Sequence, residues 1–403
     1  MKVCFVVQRY GEEVNGGAEA YTREVAEHLA QLPGYEVACL TTCAIDYVSW
    51  KNEYEPGVTT IKGVKVERIA NEATRDEKSF NKLCGEVLGA AATGNPLPLD
   101  REEDWMNKQG PYCPGLPRRL REIKDEYDVF IFVCYLYYTT YFGLPEVAHK
   151  AIFIPTAHEE TPIHLGMFKR MFDLPAAFYY NTVEEKELTN KLFPSSVSKP
   201  DNGGKGGVGV ELPSHIDAEE FKKKYNLDNF MLYVGRIDEN KCCPELFKYW
   251  EEYKKRNPNS DLKLVLMGKE IVEVPKRDDV VSLGFVSEED KFSGLAASRF
   301  LVLPSKFESL SIVVLEAMKS NKPVLVSGEC PVLKGHCVRS NAGLYYSGYY
   351  EFEGCVNYLT THDDVVALMG ENGIKYVDND YSWPAICNGY DKLIRSIAGN
   401  TKS

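Results

Sequence analysis

The sequence predicts a doubly wound α/β protein of two domains, each a mostly parallel sheet with helices on both faces. Three observations carry this. Short apolar runs that read as buried strands, among them Lys2–Val7, Asp128–Leu136, Phe230–Val234 and Arg299–Ser305, alternate with segments of helical periodicity. Glycine and polar residues collect where each strand ends and the next helix begins, the edge at which an open α/β sheet holds its ligand. A stretch rich in Ser, Gly and Lys, Ser195–Gly209, divides the 403 residues into two parts, each long enough to bury a core.

In chain order, Lys2–Val7 is the first strand, and the loop Gln8–Gly17 leads into a helix from about Ala18 to Leu32, whose apolar face is Tyr21, Val25, Leu29 and Leu32. The helix entrance reads NGGAE, Asn15 to Glu19, and its glycines remove side chains where a backbone must approach a ligand. Strands EVACLTT and VKVERIA follow. From Asn71 to Leu116 periodicity fades and Gly, Pro and charged residues accumulate, so a long, partly helical insertion is expected over about 71–118. The strands DVFIFVCYL and AIFIPTAHEE come next, the second ending in His158, Glu159 and Glu160, and FYYNTVEEKELTNKLF closes a first domain over 1–198. Within the linker, KGGVG imitates a phosphate-binding loop but lacks the Lys and Ser/Thr that such a loop needs.

The second domain, expected over 199–380, opens with FMLYVGRIDENK, which sets Gly235, Arg236 and Lys241 at a strand's carboxyl end. Two cations there suit a leaving diphosphate. A helix over Pro244–Arg256, the strands LKLVLMG and VVSLGFV, and a helix after Ser287 continue the alternation. Then comes PSKFESLSIVVLEAMKSNKPV, Pro304–Val324, with Glu308 at the mouth of an expected helix and Glu316 two turns in. Eight helical residues rise roughly 12 Å, so the two carboxylates suit opposite ends of an elongated ligand. A diphosphate at the helix N-terminus near Ser311 and Ile312 would lie between them, which fits a sugar nucleotide. Residues 381–403, with Tyr381, Trp383 and Pro384, form a last helical region.

Composition narrows the function classes. A formal net charge of -12 argues against a general nucleic-acid binder. One basic patch, PRRLR at 117–121, suits an acidic lipid or a phosphate, and the favoured reading is a solvated helix face. The twelve cysteines are scattered, several inside apolar runs, and are expected to be reduced; His336, Cys337 and Cys330 match no common zinc spacing. The N-terminal run is too short for a secretory leader and no apolar run reaches membrane-spanning length. The expected setting is cytoplasmic, with a peripheral association with the inner membrane face left open.

Glu308, seven residues, Glu316, then Ala317, Met318 and Pro323, with Gly235, Arg236 and Lys241 about seventy residues upstream, resembles the signature of the retaining glycosyltransferases of family 4. The turn ending in Gly16, Gly17, Ala18 and Glu19 resembles the same family's first turn. The resemblance implies the GT-B fold, two Rossmann-like domains facing a cleft with the C-terminal helix crossing back to the first. It also implies a nucleotide-diphosphate-sugar donor, UDP- or GDP-linked, and a glycan, lipid-linked glycan or protein acceptor, with no cofactor and no metal. By the same resemblance Arg236 and Lys241 hold the diphosphate, Glu308 positions the sugar and Glu316 takes the ribose hydroxyls. Phe285 and Val286 read the base, Gly16, Gly17, Gly235, Leu310, Ser311 and Ile312 line the donor, and His158 meets the reacting sugar. The insertion falls on the acceptor side, where Trp105, Tyr112 and Arg118 are candidate contacts, with local packing the favoured alternative. Three positions depart from the family's commonest form, with Ser311, Asn321 and Cys242 each standing where glycine is frequent. The rival readings are a non-catalytic subunit of this fold, a sugar-nucleotide epimerase and a dinucleotide oxidoreductase, the last disfavoured because no G-x-G-x-x-G lies at a strand-to-helix turn.

Overall fold

Runs of Val, Ile, Leu and Phe uninterrupted by polar residues form strands buried on both faces, which in a parallel sheet requires helices above and below. The computed structural model describes residues 1–14 and 16–400. Asn15, the first residue of the NGGAE entrance, and the last three residues of the C-terminal stretch lie outside the described residues. The chain forms two compact units, one of residues 1–208 and Ile386 onward, the other of 209–385.

Unit 1 is built on strands β1 (Lys2–Val6), β2 (Glu36–Thr42), β3 (Gly57–Ile61), β4 (Val64–Ile69), β5 (Val129–Val133), β6 (Ala151–Ile154) and β7 (Ala177–Phe178). They lie in the order β3-β4-β2-β1-β5-β6-β7. Every pairing is parallel except β3 with β4, a hairpin whose turn uses left-handed Lys62 and Gly63. The sheet changes winding direction between β1 and β5, the place where such sheets open a crevice.

The weak periodicity of the insertion conceals three helices, Glu77–Ala92, Leu99–Gln109 and Gly115–Ile123. They supply Leu83, Val87, Trp105, Met106, Leu116 and Leu120 to the same core as β5 and β6. Trp105 is 2% exposed, so of the two readings, acceptor contact and local packing, it takes the second. Glu102 shows how the insertion is tied in, for its buried carboxylate accepts the backbone N–H groups of Gly166 (3.1 Å) and Met167 (2.7 Å) and caps the helix Gly166–Asp173. The basic patch beside it is largely neutralised, with Arg119 on Glu67 and Arg121 on Glu146.

The glycine-rich stretch after Ser195 is no flexible tether either. A Cβ on Gly206 would stand 2.2 Å from the Tyr180 carbonyl oxygen, and one on Gly204 would stand 2.7 Å from Val183 Cα. These glycines let the chain lie against the end of β7, where the Asn202 amide exchanges hydrogen bonds with the backbone of Tyr180 at 2.8 and 2.9 Å. The final helix, Trp383–Asn400, packs on unit 1 from Ile386 onward. Its anchor is Tyr390, stacked on Tyr179 at 3.9 Å and hydrogen-bonded to the Tyr21 hydroxyl.

Unit 2 carries β8 (Phe230–Val234), β9 (Lys263–Met267), β10 (Val280–Ser282), β11 (Leu301–Leu303), β12 (Val324–Ser327) and β13 (Gly343–Tyr346), all parallel. Their order is β10-β9-β8-β11-β12-β13, so winding reverses between β8 and β11. Among the described residues no helix is long and apolar enough to cross a membrane.

Truncating Tyr390 to Ala removes a stacked, fully buried ring from unit 1 and is expected to cost about 3 kcal/mol or more. A urea titration read by near-UV signals checks it.

Candidate functional site

The loops leaving β8 and β11, neighbours at the winding reversal of unit 2, bring Gly235, Arg236, Lys241 and Glu308 into one place. Gly235 and Gly268, at the ends of adjacent strands, have φ of 150° and 141°. A Cβ on Gly268 would stand 1.9 Å from the Gly235 carbonyl oxygen, so the path of the 235–241 loop requires a glycine opposite it. The Tyr233 hydroxyl donates to the Arg236 carbonyl at 2.6 Å. Buried Asp238 then fixes both cations, its Oδ1 accepting the Lys241 N–H at 2.8 Å and its Oδ2 lying 3.5 Å from Arg236 Nη2. Lys241 Nζ donates to Glu308 Oε1 at 2.7 Å, with side chains 26% and 12% exposed. The Arg236 side chain is about half exposed.

The helix after β11 begins only at Ile312 and ends at Lys319. Glu308 therefore stands in the loop, and Glu316 sits one turn into the helix, where the sequence suggested two. Ser311 is the N-cap, but its side chain makes no capping hydrogen bond, and its hydroxyl is buried without a partner among the described residues. Leu310 is buried. Its carbonyl accepts a hydrogen bond from His336 Nε2 at 2.8 Å, which places the ring proton on that nitrogen and leaves Nδ1 to accept from the Tyr376 hydroxyl at 3.0 Å. His336, an expected outsider, is thus a support for the loop. Burial, aided by Arg339, lowers its pKa to about 4.

Glu316 has a partner that the sequence reading missed. Lys291, from the helix Glu288–Ala297, donates to Glu316 Oε1 at 2.7 Å and pairs with Glu288 at 2.8 Å. Burial pushes the Glu316 carboxyl above the usual carboxylate range, against the charge and hydrogen bond of Lys291. At Lys291 burial works the other way, and the two carboxylates outweigh it and hold the ammonium charged. Phe285, 80% exposed, and Val286 lie in the loop before that helix.

The three departures from glycine share one property. Cys242, Ser311 and Asn321 have φ of 57°, 64° and 62°, the left-handed region. Asn tolerates it; Ser and Cys sit there at roughly 1 to 2 kcal/mol.

In unit 1 the expected residues separate into two groups. Gly16 has an extended φ, and its missing Cβ makes room for a buried ion pair, since the Cβ would stand 2.2 Å from Glu19 Oε2 and 2.9 Å from Arg9 Nη2. Gly17 has open space around it and begins the helix Gly17–Ala30, which has no side-chain cap. His158 follows β6, its Nε2 3.4 Å from Glu160 Oε1, which also accepts from the Tyr135 hydroxyl at 2.5 Å. Burial would raise the Glu160 carboxyl, but His158 and Tyr135 outweigh it and hold it below the usual range. Beneath, fully buried Glu185 accepts the N–H groups of Ala157 (2.7 Å) and Asn181 (2.6 Å), and burial pushes its carboxyl up to about 8. Tyr112 packs edge-on against Tyr138, and Arg118 is exposed.

Residues 217–344 match the family model described as glycosyl transferases group 1, and this span holds Gly235, Arg236, Lys241, Glu308 and Glu316. Alpha-D-kanosaminyltransferase of Streptomyces kanamyceticus is 30% identical over 115 residues, 26% of this chain and 30% of the relative. The chain spans 30% and 53% of the curated relatives it matches. Sucrose-phosphate synthase of Thermosynechococcus elongatus superposes with a TM-score of 0.70 at 16% identity, covering 99% of both chains. HepE of Anabaena, in complex with UDP and glucose, gives 0.68 at 14% identity over 98% of this chain and 100% of its own. The likeness shows the GT-B fold, and the group 1 segment lies within its second unit. Among the described residues no cluster of three or more His, Cys, Asp or Glu side chains is placed to hold a metal.

Replacing Cys242 by Gly relieves left-handed strain at some cost in unfolded-chain entropy, and is expected to stabilise unit 2 by up to about 1 kcal/mol, read as a higher urea midpoint. His336 makes stability pH-dependent. Below its ordinary value of 6.5 the unfolded chain takes a proton that the folded chain refuses until about pH 4. Stability is therefore lost as pH falls through that window, by about 3 kcal/mol. The stability difference between wild type and His336→Gln is expected to shrink by that amount from pH 6.5 to 4 in urea titrations.

Proposed function

We propose that the chain is a retaining glycosyltransferase that moves a sugar from a UDP-linked donor to a hydroxyl acceptor, in glycan or polysaccharide synthesis. The observation that carries this is the Lys241–Glu308 pair beside an uncapped helix whose N-cap hydroxyl, on Ser311, is buried without a partner among the described residues. A helix N-terminus with an unspent hydroxyl and two cations nearby suits a diphosphate. The UDP in the HepE complex supports uracil as the base.

In this reading the bond between the anomeric carbon and the diphosphate oxygen breaks while the acceptor oxygen bonds to the same face. The acceptor's proton passes to the leaving phosphate, so no enzyme nucleophile is required. Lys241 and Arg236 stabilise the charge that grows on that phosphate. Glu308 both holds Lys241 and offers its second oxygen to the sugar hydroxyls, while Glu316 takes the ribose. Phe285 and Val286 flank the base, with Gly235, Leu310, Ser311 and Ile312 supplying backbone around the diphosphate. From unit 1 we assign His158 to the reaction, and Gly16 and Gly17 to the entrance. The proposal keeps a cytoplasmic setting, supported by twelve free cysteines, and a peripheral membrane contact for a lipid-linked acceptor.

A thermal-shift screen against UDP, GDP, ADP, CDP and their sugar conjugates tests the donor, with about 2.7 kcal/mol of stabilisation expected at a hundredfold excess over Kd. Lys241→Ala is expected to lower the rate of UDP release from the sugar nucleotide by about 10² to 10³, or 3 to 4 kcal/mol. Near-normal turnover in that variant or in Arg236→Ala refutes the assignment.

A further inference from the structure

We propose that Lys291 is a positioning residue that keeps Glu316 an acceptor-only carboxylate, and through it makes the site select ribose over 2′-deoxyribose. This rests on the reading of unit 2 as a sugar-nucleotide site. The geometry is specific. The Lys291 side chain is 14% exposed, and its ammonium bridges two carboxylates, Glu288 at 2.8 Å on its own helix and Glu316 at 2.7 Å on the next. It occupies Glu316 Oε1, while Oε2 accepts no hydrogen bond among the described residues.

A vicinal diol presents two O–H donors, and an ionised carboxylate is the side chain that accepts both. Protonated, the same group becomes a donor and opposes one of them. Glu316 lies where burial favours that neutral form, and among the described residues Lys291 is the cation paired with it. Without the ammonium the carboxyl takes a proton, and the 2′-hydroxyl loses the acceptor that distinguishes it from hydrogen. Glu288, mostly exposed, holds Lys291 from outside and does not substitute for it. A mere strut between the two helices would need the pair but would leave sugar selection unchanged.

The test is isothermal titration of the full chain with UDP, GDP and the 2′-deoxy form of each, in wild type, Lys291→Met, Lys291→Arg and Glu316→Gln. Wild type is expected to prefer the ribonucleotide by tenfold or more, about 1.4 kcal/mol. In Lys291→Met the preference is expected to fall within about threefold, matching Glu316→Gln, whereas Lys291→Arg restores it. Lys291→Gln replaces the Met variant if the latter fails to fold. A Met or Gln variant that binds with the wild-type preference overturns the proposal and leaves the donor reading standing. Wild type that binds neither UDP nor GDP overturns the donor reading, and the proposal with it.

Discussion

The contact of Gly268 with the Gly235 carbonyl governs unit 2. Parallel strands end side by side, and their next residues must turn away without collision; here one backbone passes 1.9 Å from where a Cβ would stand. With that approach made, the Tyr233 hydroxyl and the Asp238 carboxylate direct the loop so that both cations arrive on the side of β11. The site is therefore a product of backbone proximity first and of charge second. A bulkier residue at 268 would press on the Gly235 carbonyl and the Arg236 backbone nitrogen and so displace Arg236 and Lys241 together.

Unit 1 depends on buried carboxylates used as fasteners. Glu102 holds the insertion to the helix Gly166–Asp173, Glu185 holds the loop under His158, and Glu19 holds Arg9. A carboxylate buried against backbone N–H groups or a guanidinium has its lone pairs filled, so the cost of burying it is offset. His158 inherits its place from two such groups, Glu160 beside it and Glu185 beneath.

The doubly wound class and the loop positions of Arg236, Lys241 and Glu308 were legible because apolar runs and their polar ends are local features, whereas strand order came only with the structure. The partners of those residues were not, because they come from distant parts of the chain. Lys291 lies twenty-five residues before Glu316, in an acidic helix start that reads as a solvated face, and Asp238 was hidden between two more conspicuous cations. The sequence left Trp105 between acceptor contact and local packing for the same reason, since it faces inward only once β5 and β6 are in place. Gly204 and Gly206 read as a tether because composition reports freedom of the backbone and says nothing of what presses against it.

Cys242, Ser311 and Asn321 carry a consequence for how such chains are found. A search pattern written in letters, with glycine demanded at these three places, passes this protein by. The same pattern written in the sign of φ includes it, because what the turns hold constant is handedness, and glycine is only its cheapest spelling.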